Sequence, residues 1–212
     1  MAKVKTGEWD ISVVSYGDTY SKSCRLELLG ETYQLKQVIS LKQQGLRGSA
    51  DSGCKLFGPV QVFASPAPDY KSTYVIVEAA RGGDGDHTGP LLAIFQLTKN
   101  GFHKLGEKEL FDAIYHRKNN AITEISGNVY FTFCDVCDGP SEGEYDFYVP
   151  AKITFGCGSI CFRSALNKAD RKIILKRFNT EKEKALEESD HSDEYRKYLD
   201  SVQEDLNEFL AR

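Results

Sequence analysis

No stretch of the chain approaches the roughly 18 consecutive apolar residues that a membrane-crossing helix needs. The opening segment, Met1 to Trp9, has no apolar core of the kind a secretory leader carries. A helical membrane span is therefore not expected, and the first residues suit either a cytoplasmic chain or a mature exported one bearing a start methionine. Lysine and arginine are not clustered and interleaved with aromatics as a phosphate backbone demands, so no nucleic-acid partner is expected. G-x-S-x-G, H-E-x-x-H and a phosphate loop are missing, and His87, His103, His116 and His191 share no motif spacing. No catalytic residue is assigned and no enzyme is expected.

Six cysteines are the most informative feature present: Cys24 and Cys54, then the close pairs Cys134 with Cys137 and Cys157 with Cys161. They read as a disulfide set in an exported protein or as four zinc ligands in an intracellular one. If residues 129–133 and 147–155 pair as a hairpin, the two close pairs fall at opposite ends of it, about 20 Å apart at 3.3 Å per residue. Thiolates on one zinc must lie within about 4 Å of each other. A redox C-x-x-C is disfavoured as well, because Asp135 and Asp138 flank the pair where cations or a helix N-terminus would be needed. Three bridges between near neighbours are expected, and Cys24–Cys54, closing a loop of about 30 residues, would contribute about 3–4 kcal/mol. This implies a periplasmic or extracellular protein.

The 212 residues, 41% hydrophobic and 27% charged, suit one domain with a self-sufficient core. Eleven acids and five bases after Thr180 give that tail a charge of −6, which leaves +2 for residues 1–179. Period-two alternation over Trp9–Ser15, Cys24–Leu29 and Thr32–Val38, with turns at Gly17-Asp18 and Gly30-Glu31, predicts strands. Further strand-like runs are 60–64, 73–77, 91–97, 121–125, 129–133, 147–149, 153–155 and 172–178. The expected fold is mainly β, an antiparallel sandwich, barrel or propeller-like domain of many short strands over residues 1–179. A helical extension over 180–212 should pack on it, opened by the capping box Thr180-Glu181-Lys182-Glu183. After Ser189–Ser192, Tyr195, Tyr198, Leu199, Val202, Leu206, Phe209 and Leu210 form an apolar stripe.

Two polar loops are the candidate binding elements. Arg81, Asp84, Asp86 and His87 sit in a glycine-rich segment whose Asp84-x-Asp86-x-Thr88-Gly89 matches half a calcium loop, but Phe95 stands where the bidentate glutamate belongs. The second loop carries Asp138, Glu142 and Tyr145 and would be tethered by a 134–137 bridge. Rigid polar loops on a β-scaffold suit insertion into the cleft of another protein, an enzyme or toxin. In overall style the chain is similar to small periplasmic inhibitor and immunity proteins of bacteria, a likeness of architecture that covers no motif and carries no residue over. No cofactor is expected. The rival readings are a cell-envelope hydrolase, a calcium-dependent binding domain and an intracellular zinc-ribbon module.

Overall fold

The computed structural model describes residues 1–16, 25–32, 35–41, 60–67, 71–79, 91–132, 146–156, 158–188 and 193–212. Its alternating segments form three four-stranded antiparallel meanders in chain order. The first sheet comprises β1 (Ala2–Thr6), β2 (Trp9–Tyr16), β3 (Arg25–Glu31) and β4 (Lys36–Leu41). The second comprises β5 (Val60–Pro66), β6 (Thr73–Ala79), β7 (Leu91–Thr98) and β8 (Gly101–Glu109). The third comprises β9 (Phe111–Lys118), β10 (Ala121–Thr132), β11 (Asp146–Phe155) and β12 (Ile160–Ser164). Helices α1 (Lys168–Glu188) and α2 (Asp193–Ala211) follow. The fold is thus mainly β and sandwich-like, and among the described residues the sheets do not close into a barrel.

The middle sheet carries the core on both faces, which is why residues 91–95 read as an unbroken apolar run. Val75, Val77, Ala93, Phe95 and Leu97 pack with Trp9, Ile11, Val13 and Leu28 of the first sheet. Their neighbours in sequence, Tyr74, Ile76, Leu92 and Ile94, join Ile122, Ile125, Val149 and Ile153 of the third. Burying each such aliphatic side chain is worth about 1.5–3 kcal/mol against exposure. The same face of the third sheet also receives the helices: Phe147 meets Phe178 of α1, and Phe131 and Phe162 meet Phe209 of α2.

Polar groups fix the sheets to one another. Gln37 acts as a surrogate strand partner for Phe102, whose N–H donates to Oε1 at 2.8 Å while Nε2 donates to its carbonyl at 3.4 Å. The buried Ser65 hydroxyl accepts from the Ile122 N–H at 3.0 Å and lies 3.3 Å from the Asn120 carbonyl. Tyr115 donates to Glu78 Oε2 at 2.8 Å. Burial, then that hydrogen bond and the carboxylate charge, hold its phenol protonated well beyond the usual tyrosine range.

Successive strands run in opposite directions, so their termini collect at two ends of the stack. At one end the connections are short, among them Gly7-Glu8, Lys99-Asn100 and Asn119-Asn120. Asn119 (φ 50°) and Asn120 (φ 66°) adopt the left-handed pair that a two-residue hairpin requires. The three sheets share this end, because Trp9 and Gln37 meet Phe102, Ser65 meets Asn120, and Tyr74 stacks on Phe155 at 4.3 Å. The strand ends that flank residues 17–24, 42–59, 80–90 and 133–145 therefore face away from these short turns, at the opposite end of each sheet.

Several sequence expectations change. Residues 172–178 are not a strand but part of α1, which opens at Lys168 rather than at Thr180. Asn167 is the cap: its Oδ1 accepts from the N–H groups of Ala169 at 2.8 Å and Asp170 at 3.0 Å. Thr180 lies inside the helix, donating to the Lys176 carbonyl at 3.1 Å. Gly30 is no turn but a buried position of β3, and beyond that strand the Thr32 N–H donates to the Leu35 carbonyl at 2.8 Å. Strands β1, β8, β9 and β12 form where the sequence pattern predicts none, and the separate runs expected around 121–132 and 147–155 are the single strands β10 and β11. The Gly17-Asp18 turn and residues 189–192 lie outside the described residues.

Candidate functional site

Arg81, Asp84, Asp86 and His87, and likewise Asp138, Glu142 and Tyr145, lie outside the described residues. Their flanking strand ends are described: Ala79 pairs with Leu91, and Thr132 with Asp146, at the same end of the stack. Glu109 of β8 pairs with Leu91, and two residues later Phe111 pairs with Asn128, four residues short of Thr132. This chain path leads from the Leu91 end to within four residues of the Thr132 end. Phe95, the position that would complete a calcium loop, is a fully buried core ring of β7 and supplies no ligand.

Cysteines 24, 54, 134, 137 and 157 also lie outside the described residues. Cys161 stands exposed on β12 with a free thiol. The hairpin assumed for residues 129–155 is formed, with Val129 opposite Val149. Thr132 and Phe155 sit nine β11 positions apart in that register, about 30 Å at 3.3 Å per residue. Among the described residues no three histidine, cysteine or carboxylate side chains gather as a metal site would require.

The described surface offers a different feature, the outer face of the third sheet. Strand parity buries Phe147, Val149, Ala151 and Ile153 and turns Tyr148, Pro150, Lys152 and Thr154 outward. Register then places Tyr130 beside Tyr148, Asn128 beside Phe111 and Pro150, and Ser126 beside Ile114 and Lys152. The rings of Phe111, Tyr130 and Tyr148 lie 5.5–5.7 Å apart at interplanar angles of 49°, 53° and 84°. Tyr148 is 44% exposed and Ile114 60%. A coplanar platform for stacking bases or sugar rings is not what these angles give; an uneven apolar patch of this kind suits a protein surface. Its signal in the sequence was the alternation of β9 and β11, legible only once β9 was known to pair with β10. A left-handed Asp112 (φ 52°) takes up the register shift between those strands.

On this face His116 Nε2 lies 2.7 Å from Ser126 Oγ. Nucleophilic catalysis needs more: a group orienting the imidazole and donors for the oxyanion in a water-excluded site. Glu124, the cross-strand neighbour of His116, is instead paired with Lys152 at 3.5 Å, and the dyad is solvent-exposed on a sheet surface. A shallow hollow of about 420 Å³ on the outer face of the first sheet, lined by Lys3, Lys5, Lys36, Asp10 and Glu31, mixes charges that already pair as Lys5–Asp10 and Lys36–Glu31. No helix among the described residues is long and apolar enough to cross a membrane.

Comparison of the chain with models of known protein families, with curated proteins and with solved structures finds no match to any of them.

Proposed function

We propose that the protein is a binding module for another protein, acting through the end of the stack from which its two polar loops depart. The observation that supports this is the common location of the Ala79–Leu91 and Thr132–Asp146 strand ends. Three packed sheets with a doubly buried middle layer provide a stiff base, and a stiff base lowers the ordering cost of presenting loops. Arg81, Asp84, Asp86 and His87 from one loop, with Asp138, Glu142 and Tyr145 from the other, form the contact surface in this reading. An enzyme or toxin cleft is the partner surface such polar loops fit, which makes the module an inhibitor or immunity protein of the periplasm or extracellular space. Bridges among the loop cysteines would stiffen the surface further.

The test is affinity capture with the immobilised protein, followed by titration of the purified partner against wild type and the D84K/D86K double variant. Reversing two charges in a contact surface weakens binding by about tenfold or more. Undiminished affinity of D84K/D86K for the partner removes the glycine-rich loop from the interface. The rival hydrolase reading predicts instead a loss of hydrolysis on changing an acid of these loops, without a retained partner.

A further inference from the structure

Exposed apolar patches beside a well-formed core mark association sites in soluble proteins. On the third sheet the patch is central rather than scattered: Tyr130 and Tyr148 occupy the two middle strands, and Phe111 and Ile114 the adjoining edge strand β9. The charges around it are divided by strand. The exposed Asp112 on β9 lies to one side and Arg163 on β12 to the other, while Glu124 on β10 and Lys152 on β11 flank the midline and pair within the chain at 3.5 Å. Arg117 and Lys118 stand apart at the Asn119-Asn120 turn, with Arg117 donating to the Asn120 carbonyl.

We propose that this outer face is the interface of a homodimer whose two-fold axis lies in the interface, parallel to the strands between β10 and β11. Such an axis exchanges left and right across the sheet while keeping position along the strands. Tyr130 of one copy then faces Tyr148 of the other, β10 with Glu124 faces β11 with Lys152, and β9 with Asp112 faces β12 with Arg163. A two-fold contact must be self-complementary, and this division of charge meets that condition. Four strands at about 4.8 Å and eight residues at about 3.3 Å give a face of roughly 500 Å² per copy, or about 1,000 Å² in the pair. That lies at the lower limit of specific interfaces, so a dimer dissociating in the micromolar range is expected. The axis also points both loop-bearing ends the same way; resting on the reading proposed above, the dimer is a bivalent binder.

Sedimentation of the full chain from about 1 to about 300 µM, in reductant so that Cys161 cannot cross-link copies, tests the proposal by mass alone, independently of any partner. The expected result is a rise from 23.7 kDa towards twice that value. Tyr148→Asp and Ile114→Asp should each shift the midpoint at least tenfold upward with the melting temperature preserved, and Val38→Asp on the first sheet should not. Ile114 is the more exposed of the two, so it carries the test if Tyr148→Asp perturbs folding. Lys152→Glu should weaken the dimer, and the K152E/E124K exchange should restore it. A single-chain mass throughout, a dimer unmoved by both aspartate variants, or equal loss with Val38→Asp would overturn the interface.

Discussion

Gly30→Ala is the sharpest probe of how the first two sheets fit. A Cβ at this position would stand 2.0 Å from Cε2 and 2.6 Å from Cζ of Phe102. The ring cannot step aside freely, because it meets Trp9 at 5.4 Å and Phe95 at 6.2 Å while its backbone N–H and carbonyl are held by Gln37. Gly30 has an ordinary strand backbone, so alanine adds no conformational strain and the whole effect is steric. Overpacking of this kind costs about 1–3 kcal/mol, and each lost ring contact adds about 0.5–1.5 kcal/mol. We expect a loss of about 2–4 kcal/mol, a fall in Tm of roughly 10 °C for a chain of this size. Denaturant unfolding measures it directly. Phe102→Leu in the same molecule should relieve part of the clash, making the double variant more stable than the sum of the two single losses predicts. A Gly30→Ala protein within 0.5 kcal/mol of wild type, or strict additivity with Phe102→Leu, would refute the close approach of Phe102 to β3.

Three further outcomes follow from the described contacts. Asn167→Ala should destabilise by about 1 kcal/mol through loss of the α1 cap, whereas Thr180→Ala should be neutral or slightly stabilising, since alanine is the better residue inside a helix; paired unfolding curves decide which residue opens α1. Ser65→Ala should cost about 1–3 kcal/mol by leaving the buried Ile122 N–H without its acceptor, read as a shift in denaturation midpoint at constant slope. Because the Tyr115 phenol is held protonated above its ordinary range, its contribution is fully present below about pH 10 and is lost as pH rises beyond it. Wild type should therefore lose stability more steeply than Tyr115→Phe between about pH 10 and pH 12, and parallel profiles would contradict the buried hydrogen bond to Glu78.

The alternating segments announced the β-class correctly, and Val60–Ala64, Thr73–Val77 and Leu91–Leu97 fall within β5, β6 and β7. Edge strands were hidden because solvent and sheet divide their side chains unevenly: β9 ends in His-Arg-Lys, and β8 breaks its apolar positions with Gly106 and ends in Glu-Lys-Glu. The run Lys-Ile-Ile-Leu-Lys-Arg-Phe suggested a strand by its β-branched residues, yet only Phe178 of it is buried, and Ile173 is 65% exposed on the helix. Upstream, Asn167 with Asp170 three residues on was the cap signal that outweighs β-propensity. Gly30 looked like a turn because glycine serves turns and close approaches alike, and only the facing Phe102 separates the two uses. The apolar outer face of the third sheet was invisible for a related reason. Phe111, Tyr130 and Tyr148 are far apart in sequence, and it is register that brings them together.

Hydrogen exchange of the protein alone and with its captured partner tests the single binding end most directly. Protection on complex formation should appear at the strand termini around Ala79, Leu91, Thr132 and Asp146 and in the segments between them. Protection confined to the opposite end, at Gly7-Glu8, Lys99-Asn100 and Asn119-Asn120, would contradict the account.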